Sequence, residues 1–237
     1  MVMSIAENIA AIREEIAAAA KACGRQVSDI KLMGVTKYHP VEMMTEAVPF
    51  IDVIGENKVQ EAYEKRSVWP EELPSVPWHM IGHLQRNKVR RALASFDLIE
   101  SLDSRDLASA LNRVLSEEER NFPVFVEVNI SRESAKSGVT PEDVPSFFEY
   151  VLKECPFLSI KGLMTVAEDT DDEKVLHKTF ADLREIRDKI NGEFGLALSE
   201  LSMGMSGDFK IAIAEGSTIV RIGSAIFGPR DYGVKIV

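Results

Sequence analysis

The feature that most constrains the fold of this chain is a regular alternation of strand-like and helix-like segments. Eight short apolar runs, each typical of a strand buried on both faces, are separated by stretches with helical periodicity. Because parallel strands need a crossover connection between them, this alternation predicts a parallel sheet. Eight such units in 237 residues fit a closed (β/α)8 TIM barrel. The eight runs are residues 32–37, 51–55, 78–84, 98–102, 124–130, 160–166, 201–205 and 219–227.

An open, doubly wound sheet is the alternative architecture. That fold usually has fewer strands and a glycine-rich turn after the first one. Residues 37–40, which form the first turn here, include no glycine. No linker rich in proline or glycine divides the chain, so residues 1–237 are predicted to form a single α/β domain.

Capping signals mark several helix starts. Ser4 with Glu7, and Thr170 with Glu173, have the spacing of a capping box. The first pair precedes isoleucines at helical spacing, which predicts an extra helix ahead of the barrel. A threonine–proline pair at 140–141 is typical of an N-cap followed by the first helical residue.

Charge and composition narrow the class of function. The formal net charge is -10, so the surface as a whole repels nucleic acids and anionic membranes, and neither is expected as a partner. No apolar run reaches the ~18 residues that a membrane span needs, and the N-terminus lacks the pattern of a signal peptide. Cys23 and Cys155 are therefore expected to be reduced thiols of a cytoplasmic protein.

No metal site is expected from the sequence. His79 and His83 would share one side of the third predicted strand, but no acidic or cysteine ligand completes a set with them. Both histidines are better interpreted as core or pocket residues.

Lys37 stands at the end of the first predicted strand and is the candidate nucleophile. In isolation, a lysine at this place is more often solvated or salt-bridged than reactive. Desolvation, however, favours the neutral form of an amine, which is the form that attacks aldehydes. All strand carboxyl ends open on one face of a TIM barrel, and the eighth strand is next to the first. Lys37 would therefore face the loops after strands seven and eight.

Those two loops have the composition of a phosphate site. Glycines flank Ser206, and Gly223 precedes Ser224, so backbone N–H groups can approach an anion closely. A short helix predicted over 208–215 would direct further N–H groups at the same place, although its first residue, Asp208, is anionic and should cap the helix or point away. Each loop alone could be an ordinary turn. An amine facing both loops indicates an aldehyde-bearing phosphate cofactor, namely pyridoxal 5′-phosphate (PLP).

Arg221 indicates which chemistry such a cofactor would support. It precedes Gly223 by two residues on the eighth predicted strand, so both can point the same way. If Arg221 faces the pyridine nitrogen, that nitrogen stays unprotonated because arginine remains cationic. An unprotonated ring is a weak electron sink, which disfavours aminotransferase chemistry. A structural ion pair is the alternative interpretation of Arg221.

Seven motifs, spread from residue 34 to 228, occur in a fixed order along the chain. They are Gly34-Val-Thr-Lys37, Gly55-Glu-Asn57-Lys, Trp78-His-x-Ile-Gly-His83-Leu-Gln-x-Asn87-Lys88, Lys136-Ser-Gly138, Gly162-Leu-Met164, Leu201-Ser-Met-Gly-Met-Ser206-x-Asp208 and Arg221-Ile-Gly-x-Ala-Ile-Phe-Gly228. In this order they resemble the YggS/PROSC family of pyridoxal-phosphate homeostasis proteins, which are similar to the N-terminal barrel of alanine racemase.

The resemblance implies a function and a set of binding residues. It implies that Lys37 holds PLP covalently as a Schiff base and that Arg221 meets the pyridine nitrogen. It also implies a cofactor carrier or buffer without catalytic turnover, with PLP-dependent apo-enzymes as recipients. The residues implied to bind or surround the cofactor are Lys37, Asn57, His83, Met203, Ser206, Arg221, Gly223 and Ser224.

A racemase-like enzyme is the main alternative. A racemase needs one base on each face of the substrate carbon, and Lys37 could serve one face. In alanine racemase the other base is a tyrosine from a second domain of the partner subunit. None of the four tyrosines here, at 38, 63, 150 and 232, carries that motif, and the chain ends at Val237, soon after the barrel. A carrier is therefore favoured, and a monomer is expected.

Two further hypotheses remain open at this point. Lys136, after the fifth predicted strand, is either a plain loop lysine or a second amine that receives the cofactor during transfer. The protein could also be an interaction module, in which bound PLP is a signal and a partner docks over the mouth of the barrel.

Overall fold

Eight parallel strands close into a barrel in chain order, which confirms the predicted (β/α)8 architecture. The computed structural model describes residues 4–133 and 135–229. The last strand pairs with the first, so that Met33 lies opposite Arg221. The strands are β1 (Lys31–Val35), β2 (Val53–Glu56), β3 (Trp78–Met80), β4 (Leu98–Leu102), β5 (Phe122–Glu127), β6 (Leu158–Met164), β7 (Glu200–Ser202) and β8 (Ile219–Ile222).

Helices alternate with the strands and cover the outside of the barrel. Those in the described residues are α1 (Ile5–Ala22), α2 (Val41–Ala47), α3 (Val59–Ser67), α4 (Val89–Ser95), α5 (Arg105–Glu117), α6 (Val144–Glu154), α7 (Glu173–Phe194), α8 (Phe209–Ala214) and α9 (Ser224–Phe227). Within the same residues, no helix is both long enough and apolar enough to cross a bilayer.

Helix α1 is the extra N-terminal helix that the sequence predicts. The Ser4 hydroxyl accepts a hydrogen bond from the Glu7 N–H, and the Glu7 carboxylate accepts one from the Ser4 N–H, so the capping box is formed. The buried face of α1 includes Ile9, Ile12 and Ile16. This helix packs next to α8 and α9 and anchors the start of the chain to the last units of the barrel.

The hydrophobic core consists of two apolar clusters. The larger one lies between the strands and the surrounding helices. The smaller one fills the barrel interior, where a side chain on Gly55 would come within 2.4 Å of the Met33 sulfur. Because side chains fill the middle of the barrel, a ligand can enter only at its ends. The interior residues are Met33, Val35, Val53, Leu98, Phe125, Met164 and Ile219.

Two strands end four or more residues before the predicted position. Strand β3 ends at Met80 rather than at residue 84, so His83 lies in the loop that follows and does not share a strand with His79. Strand β8 ends at Ile222, and the second half of the predicted run is helix α9. A short apolar run cannot distinguish a strand from a buried helix, and here the N–H groups of the helix return to the carbonyl of Gly223.

Two helices begin later than their capping signals predict. Helix α6 starts at Val144 because Thr140 forms a turn in which its hydroxyl donates to the Asp143 carboxylate at 2.7 Å. Helix α7 starts at Glu173, and its N-cap is Asp172 rather than Thr170. The Thr170 hydroxyl instead accepts from the Asp172 N–H at 3.1 Å, outside the helix.

Candidate functional site

A cavity of about 480 Å³ opens at the carboxyl ends of the strands, next to β1 and β8. This volume lies within the range of about 300–1,000 Å³ that is usual for small-molecule sites. Six of the eight residues predicted to bind the cofactor line this cavity. Its lining residues are Val35, Lys37, His39, Asn57, Ile81, Val166, Met205, Ser206, Gly207, Arg221, Gly223 and Ser224.

Lys37 lies in a tight turn two residues beyond β1. The His39 N–H donates to the Thr36 carbonyl at 3.0 Å, and the Thr36 N–H donates to the Gly55 carbonyl at 3.0 Å. Tyr38, the next residue, has a φ of 66°, in the left-handed region that favours glycine. The turn is thus fixed to β2 on one side of Lys37 and is strained on the other.

Two hydroxyl groups meet at the wall of the same cavity. The Oγ atoms of Ser206, in the loop after β7, and of Ser224, the first residue of α9 after β8, lie 3.5 Å apart. A side chain on Gly207 would meet no atom within 4 Å, so the backbone there borders open space. Hydroxyl groups next to exposed backbone N–H groups form a concavity that is suited to an anion.

Asp208 shapes the loop that contains Ser206. Its carboxylate accepts a hydrogen bond from the Met205 N–H at 2.5 Å and does not cap helix α8. Burial raises the pKa of Asp208, whereas the Met205 hydrogen bond and the charge of Arg221 lower it. The carboxylate is therefore used within its own loop, which holds the turn around Ser206 closed.

Arg221 is buried at the floor of the cavity in a network of polar groups. Its Nη1 donates to the Ser202 hydroxyl at 2.9 Å, and its Nη2 donates to the Thr165 carbonyl at 2.8 Å. The Ser202 hydroxyl donates in turn to the Glu100 carboxylate at 2.5 Å. Burial lowers the pKa of Arg221, while the charges of Glu100, Asp208 and Glu127 oppose this change. The guanidinium orientation is thus set by Ser202 and Thr165, which belong to two other strand–loop units, and Glu100 in turn holds Ser202.

Glu127, the last residue of β5, is a buried acid close to this network. Burial raises its pKa to about 7, and the charges of Asp103 and Glu100 act in the same direction. Arg221 and His83 oppose the increase. Near neutral pH, Glu127 therefore carries a proton part of the time, which reduces the negative charge that faces Arg221.

Asn57 presents a polar atom that has no partner among the residues that the structure describes. Its Oδ1 is buried and accepts no hydrogen bond, although the residue lines the cavity. A buried polar atom without a partner is unfavourable, and in native structures such atoms are commonly completed by water or a ligand. The amide of Asn57 therefore fits a cavity built to receive a polar molecule.

Comparison with known proteins identifies the family. A family model described as the N-terminal domain of alanine racemase matches residues 8–231. A pyridoxal phosphate homeostasis protein of Pseudomonas aeruginosa is 41% identical over 233 residues, which cover 97% of this chain and 97% of that protein. This chain belongs to the pyridoxal phosphate homeostasis protein family. The resemblance to the YggS/PROSC motifs is thereby confirmed.

Solved structures show the same fold in relatives. PipY of Synechococcus elongatus, solved with PLP bound, is 33% identical and superposes with a TM-score of 0.82, covering 95% of this chain and 100% of that chain. An alanine racemase of Clostridium difficile is 17% identical with a TM-score of 0.72. The chain of this family member covers 58% of the length of that racemase, and the two proteins share the barrel fold.

Two of the predicted site residues of this family member lie outside the cavity lining. Met203 is fully buried in the cluster between strands and helices, because successive side chains alternate and the adjacent Ser202 faces the interior, where it contacts Arg221. His83 is exposed, and its Nδ1 lies 2.9 Å from the Asp103 carboxylate in a separate groove. The early end of β3 accounts for its position.

Lys136 and the tyrosines of the described residues also lie outside the cavity lining. The Lys136 ammonium donates to the Ala167 carbonyl at 3.0 Å and pairs with Glu133 at 2.5 Å. Tyr232 is outside the described residues, and none of the three tyrosines within them lines the cavity. No group of His, Cys, Asp and Glu in the described part of the chain could hold a metal ion.

Sequence reasoning missed the polar network beneath the cavity. Glu100 and Glu127 are acids within otherwise apolar strands, and Ser202 joins one of them to Arg221. Their presence in buried strands was the available signal, because such groups need partners in the interior. Their partners are 19 to 102 residues away in sequence, so only the closed barrel reveals them.

Proposed function

We propose that this protein binds PLP covalently through Lys37 and acts as a reversible carrier of the cofactor, without turnover of its own. The observation that carries the proposal is that one cavity contains the Lys37 side chain, the paired hydroxyls of Ser206 and Ser224, and the buried Arg221. The unpaired Asn57 oxygen and the open space beside Gly207 fit a polar, phosphate-bearing ligand. PipY, which has been solved with PLP bound, supports the choice of ligand.

PLP supplies an aldehyde that condenses reversibly with an amine. In the proposed step the Lys37 amine adds to the aldehyde carbon, a C=N bond forms, and the aldehyde oxygen leaves as water. Addition of water reverses the step and returns free lysine and free cofactor. No oxidant or further reactant is needed, so the same residue can capture the cofactor and release it.

The phosphate is proposed to bind Ser206, Ser224 and the backbone at Gly207 and Gly223. These groups lie just after β7 and β8, where phosphates commonly bind in TIM barrels. Noncovalent affinity at the phosphate keeps the aldehyde beside Lys37, so that the covalent bond reforms more often than the cofactor escapes.

Arg221 is proposed to donate to the ring nitrogen of PLP. Glu100, Asp208 and Glu127 favour its cationic form, and Ser202 and Thr165 orient its guanidinium. A cation at the ring nitrogen keeps that nitrogen unprotonated, which weakens the ring as an electron sink. Arg221 thus restrains proton abstraction from amino acids, which suits a carrier better than a racemase.

Delivery is proposed to go to apo-enzymes that need PLP, from a monomeric protein in the cytoplasm. The absence of tyrosines from the cavity lining within the described residues supports a carrier, because a racemase would need a second base opposite Lys37. Loss of the α-hydrogen of amino acids to deuterated solvent discriminates between the two. We expect no rapid exchange that depends on Lys37, and rapid exchange would instead identify a racemase-like enzyme.

The attachment of PLP to Lys37 is tested with wild-type protein, Lys37→Ala and the control variant Lys136→Ala. Each is incubated with PLP, treated with borohydride and digested for peptide mass spectrometry, with absorbance spectra taken before and after reduction. We expect the Schiff-base absorbance band and a reduced adduct on the Lys37 peptide in wild type and Lys136→Ala, but neither in Lys37→Ala. If excess PLP leaves the Lys37 peptide of the wild type unmodified, the proposal is wrong.

The hypothesis that Lys136 receives the cofactor during transfer is tested separately. PLP-loaded wild type and Lys136→Ala are mixed with an apo-enzyme, and the rate at which enzyme activity appears is measured. Slower delivery by Lys136→Ala, with unchanged labelling of Lys37, would support the hypothesis. Equal delivery rates would show that Lys136 is a plain loop lysine.

A further inference from the structure

A buried charged cluster lies directly behind the turn that contains Lys37. We define it as the Lys65 cluster, which consists of Lys65, Glu56 and Glu61. The Lys65 side chain has no exposed surface, and its Nζ lies 2.6 Å from a Glu56 oxygen and 2.7 Å from a Glu61 oxygen. The same Nζ donates to the Thr36 carbonyl at 2.8 Å. Glu56 also accepts a hydrogen bond from the Thr36 hydroxyl at 2.6 Å.

The Lys65 cluster is an unexpected way to fill a protein interior. Removing one cation and two carboxylates from water is unfavourable, and apolar residues of similar volume often give equal or greater stability. The contacts that apolar residues could not make are those to the backbone of the Lys37 turn. The buried charges therefore serve to hold this backbone as well as to fill the interior.

The cluster holds the residues on both sides of Lys37. On one side, the Thr36 carbonyl accepts hydrogen bonds from Lys65 and from the His39 N–H. On the other side, the Tyr38 N–H donates to the Glu61 carboxylate at 2.6 Å. Lys37 thus lies between two peptide groups that are both bound to buried charged side chains.

The second contact coincides with backbone strain. Tyr38 adopts a φ of 66°, a conformation that a bulky residue rarely takes and that glycine takes without cost. A hydrogen bond to an ionised carboxylate is among the stronger hydrogen bonds in proteins. Glu61 can therefore hold Tyr38 in a conformation that the residue would otherwise leave.

We propose that the Lys65 cluster positions Lys37 for capture of the PLP aldehyde, by holding the strained Thr36–His39 turn through Lys65 on one side and Glu61 on the other. This inference rests on the proposed function, since it assigns to three buried residues the task of presenting the lysine. Glu56, Glu61 and Lys65 do not line the cavity, so they are positioning residues rather than binding residues.

The sharpest test uses Glu61, because its removal leaves Lys65 and Glu56 as a balanced pair. Glu61→Leu removes the acceptor of the Tyr38 N–H, whereas Glu61→Gln keeps an oxygen in place. We expect the dissociation constant for PLP to rise about tenfold or more in Glu61→Leu, the size of effect expected for losing a hydrogen bond to a charged group. In Glu61→Gln we expect a rise of only about threefold, because a neutral acceptor is weaker.

A rescue variant separates positioning from general loss of structure. In Tyr38→Gly the turn can adopt the same conformation without strain, so Glu61→Leu should have little effect in that background. We therefore expect Tyr38→Gly with Glu61→Leu to bind PLP within about twofold of Tyr38→Gly alone. Thermal unfolding is measured for all variants, because a merely structural role would lower the unfolding temperature without selective rescue by glycine.

A second measurement needs no cofactor. Hydrogen–deuterium exchange of the peptide that spans residues 36–39 is compared in cofactor-free wild type, Glu61→Leu and Glu61→Gln. We expect faster exchange in Glu61→Leu and near wild-type exchange in Glu61→Gln, because the amide oxygen still accepts from the Tyr38 N–H. If Glu61→Leu does not yield folded protein, Glu61→Ala with and without Tyr38→Gly completes the same comparison, because alanine also removes the acceptor of the Tyr38 N–H.

Three results would overturn the inference. The first is a PLP dissociation constant in Glu61→Leu equal to that of the wild type. The second is a loss of binding in Glu61→Leu that Tyr38→Gly does not suppress. The third is equal hydrogen exchange at 36–39 in wild type and Glu61→Leu. Failure of the proposed function itself has a different signature, because the wild type would then not be labelled at Lys37.

Discussion

The hydroxyl oxygens of Ser206 and Ser224 lie 3.5 Å apart, although the two residues follow different strands of the barrel. Asp208 closes the loop around Ser206 through the Met205 N–H, and the Gly204 carbonyl accepts from the Arg221 N–H at 2.9 Å. The pair is therefore held by connections between β7 and β8 rather than by the loops alone, and an anion placed there can contact both hydroxyls.

The first prediction concerns this hydroxyl pair. Ser206→Ala with Ser224→Ala should raise the dissociation constant for PLP by about tenfold to a hundredfold, since hydrogen bonds to a charged phosphate are lost. Binding of pyridoxal, which has the aldehyde but no phosphate, should not change. Isothermal titration with both ligands checks this, and Ser146→Ala, on the exposed start of α6, provides a control. Equal losses for the two ligands would show that the pair does not recognise phosphate.

The second prediction concerns the unpaired oxygen of Asn57. Because Oδ1 is buried without a partner, Asn57→Ala should leave the cofactor-free protein as stable as the wild type or slightly more stable. The same variant should bind PLP more weakly, since the ligand would lose a polar contact. Thermal unfolding with and without PLP measures both effects. A large loss of stability in the absence of PLP would contradict this account of Asn57.

The third prediction concerns the buried charge of Arg221. Arg221→Leu leaves Glu100, Asp208 and Glu127 without their cation, so we expect the free energy of unfolding to fall by about 3–5 kcal/mol. Urea denaturation measures this change. Arg86→Leu is the control, because Arg86 pairs with Asp106 at 2.9 Å on the exposed surface and should contribute at most about 1 kcal/mol. Similar losses in both variants would show that burial of Arg221 brings no special dependence on its charge.

The fourth prediction concerns pH. Burial raises the pKa of Glu56 to about 7, and likewise that of Glu127 to about 7, from an ordinary value of 4.5. The folded protein therefore binds these protons more tightly than the unfolded chain does. As a result, the free energy of unfolding should fall as pH rises from about 4.5 to about 7, by up to about 3 kcal/mol for each acid.

Urea denaturation at several pH values tests this slope in Glu56→Gln, Glu127→Gln and the double variant. Each single substitution should flatten the decrease, and the double variant should show the smallest slope. Burial also raises the pKa of Asp208, so a residual slope of the same sign is expected to remain. A double variant with the full wild-type slope would contradict the assignment to these two acids.

Much of the fold could be predicted from the sequence because it depends on local patterns. The alternation of apolar runs with helical periodicity is sufficient for a parallel barrel, and Ser4 with Glu7 marks the helix that precedes it. The predictions failed where local signals are ambiguous. The run after β8 continues apolar into helix α9, and the apolar residues Ile81 and Leu84 beyond Met80 concealed that β3 had already ended.

The sequence by itself determined which residues could carry the chemistry, since Lys37 and Ser206 stand at or just beyond the predicted ends of strands, and Arg221 and Ser224 lie within the last predicted strand. Only the tertiary structure decided which of them meet. Closing β8 onto β1 brings residues almost 190 positions apart to one cavity, and it leaves His83 and Met203 outside the lining. The same closure pairs Glu61 with the Tyr38 N–H and Glu100 with Ser202. These pairings depend on the register and ends of strands, which cooperative packing of the whole barrel sets and which no local pattern encodes.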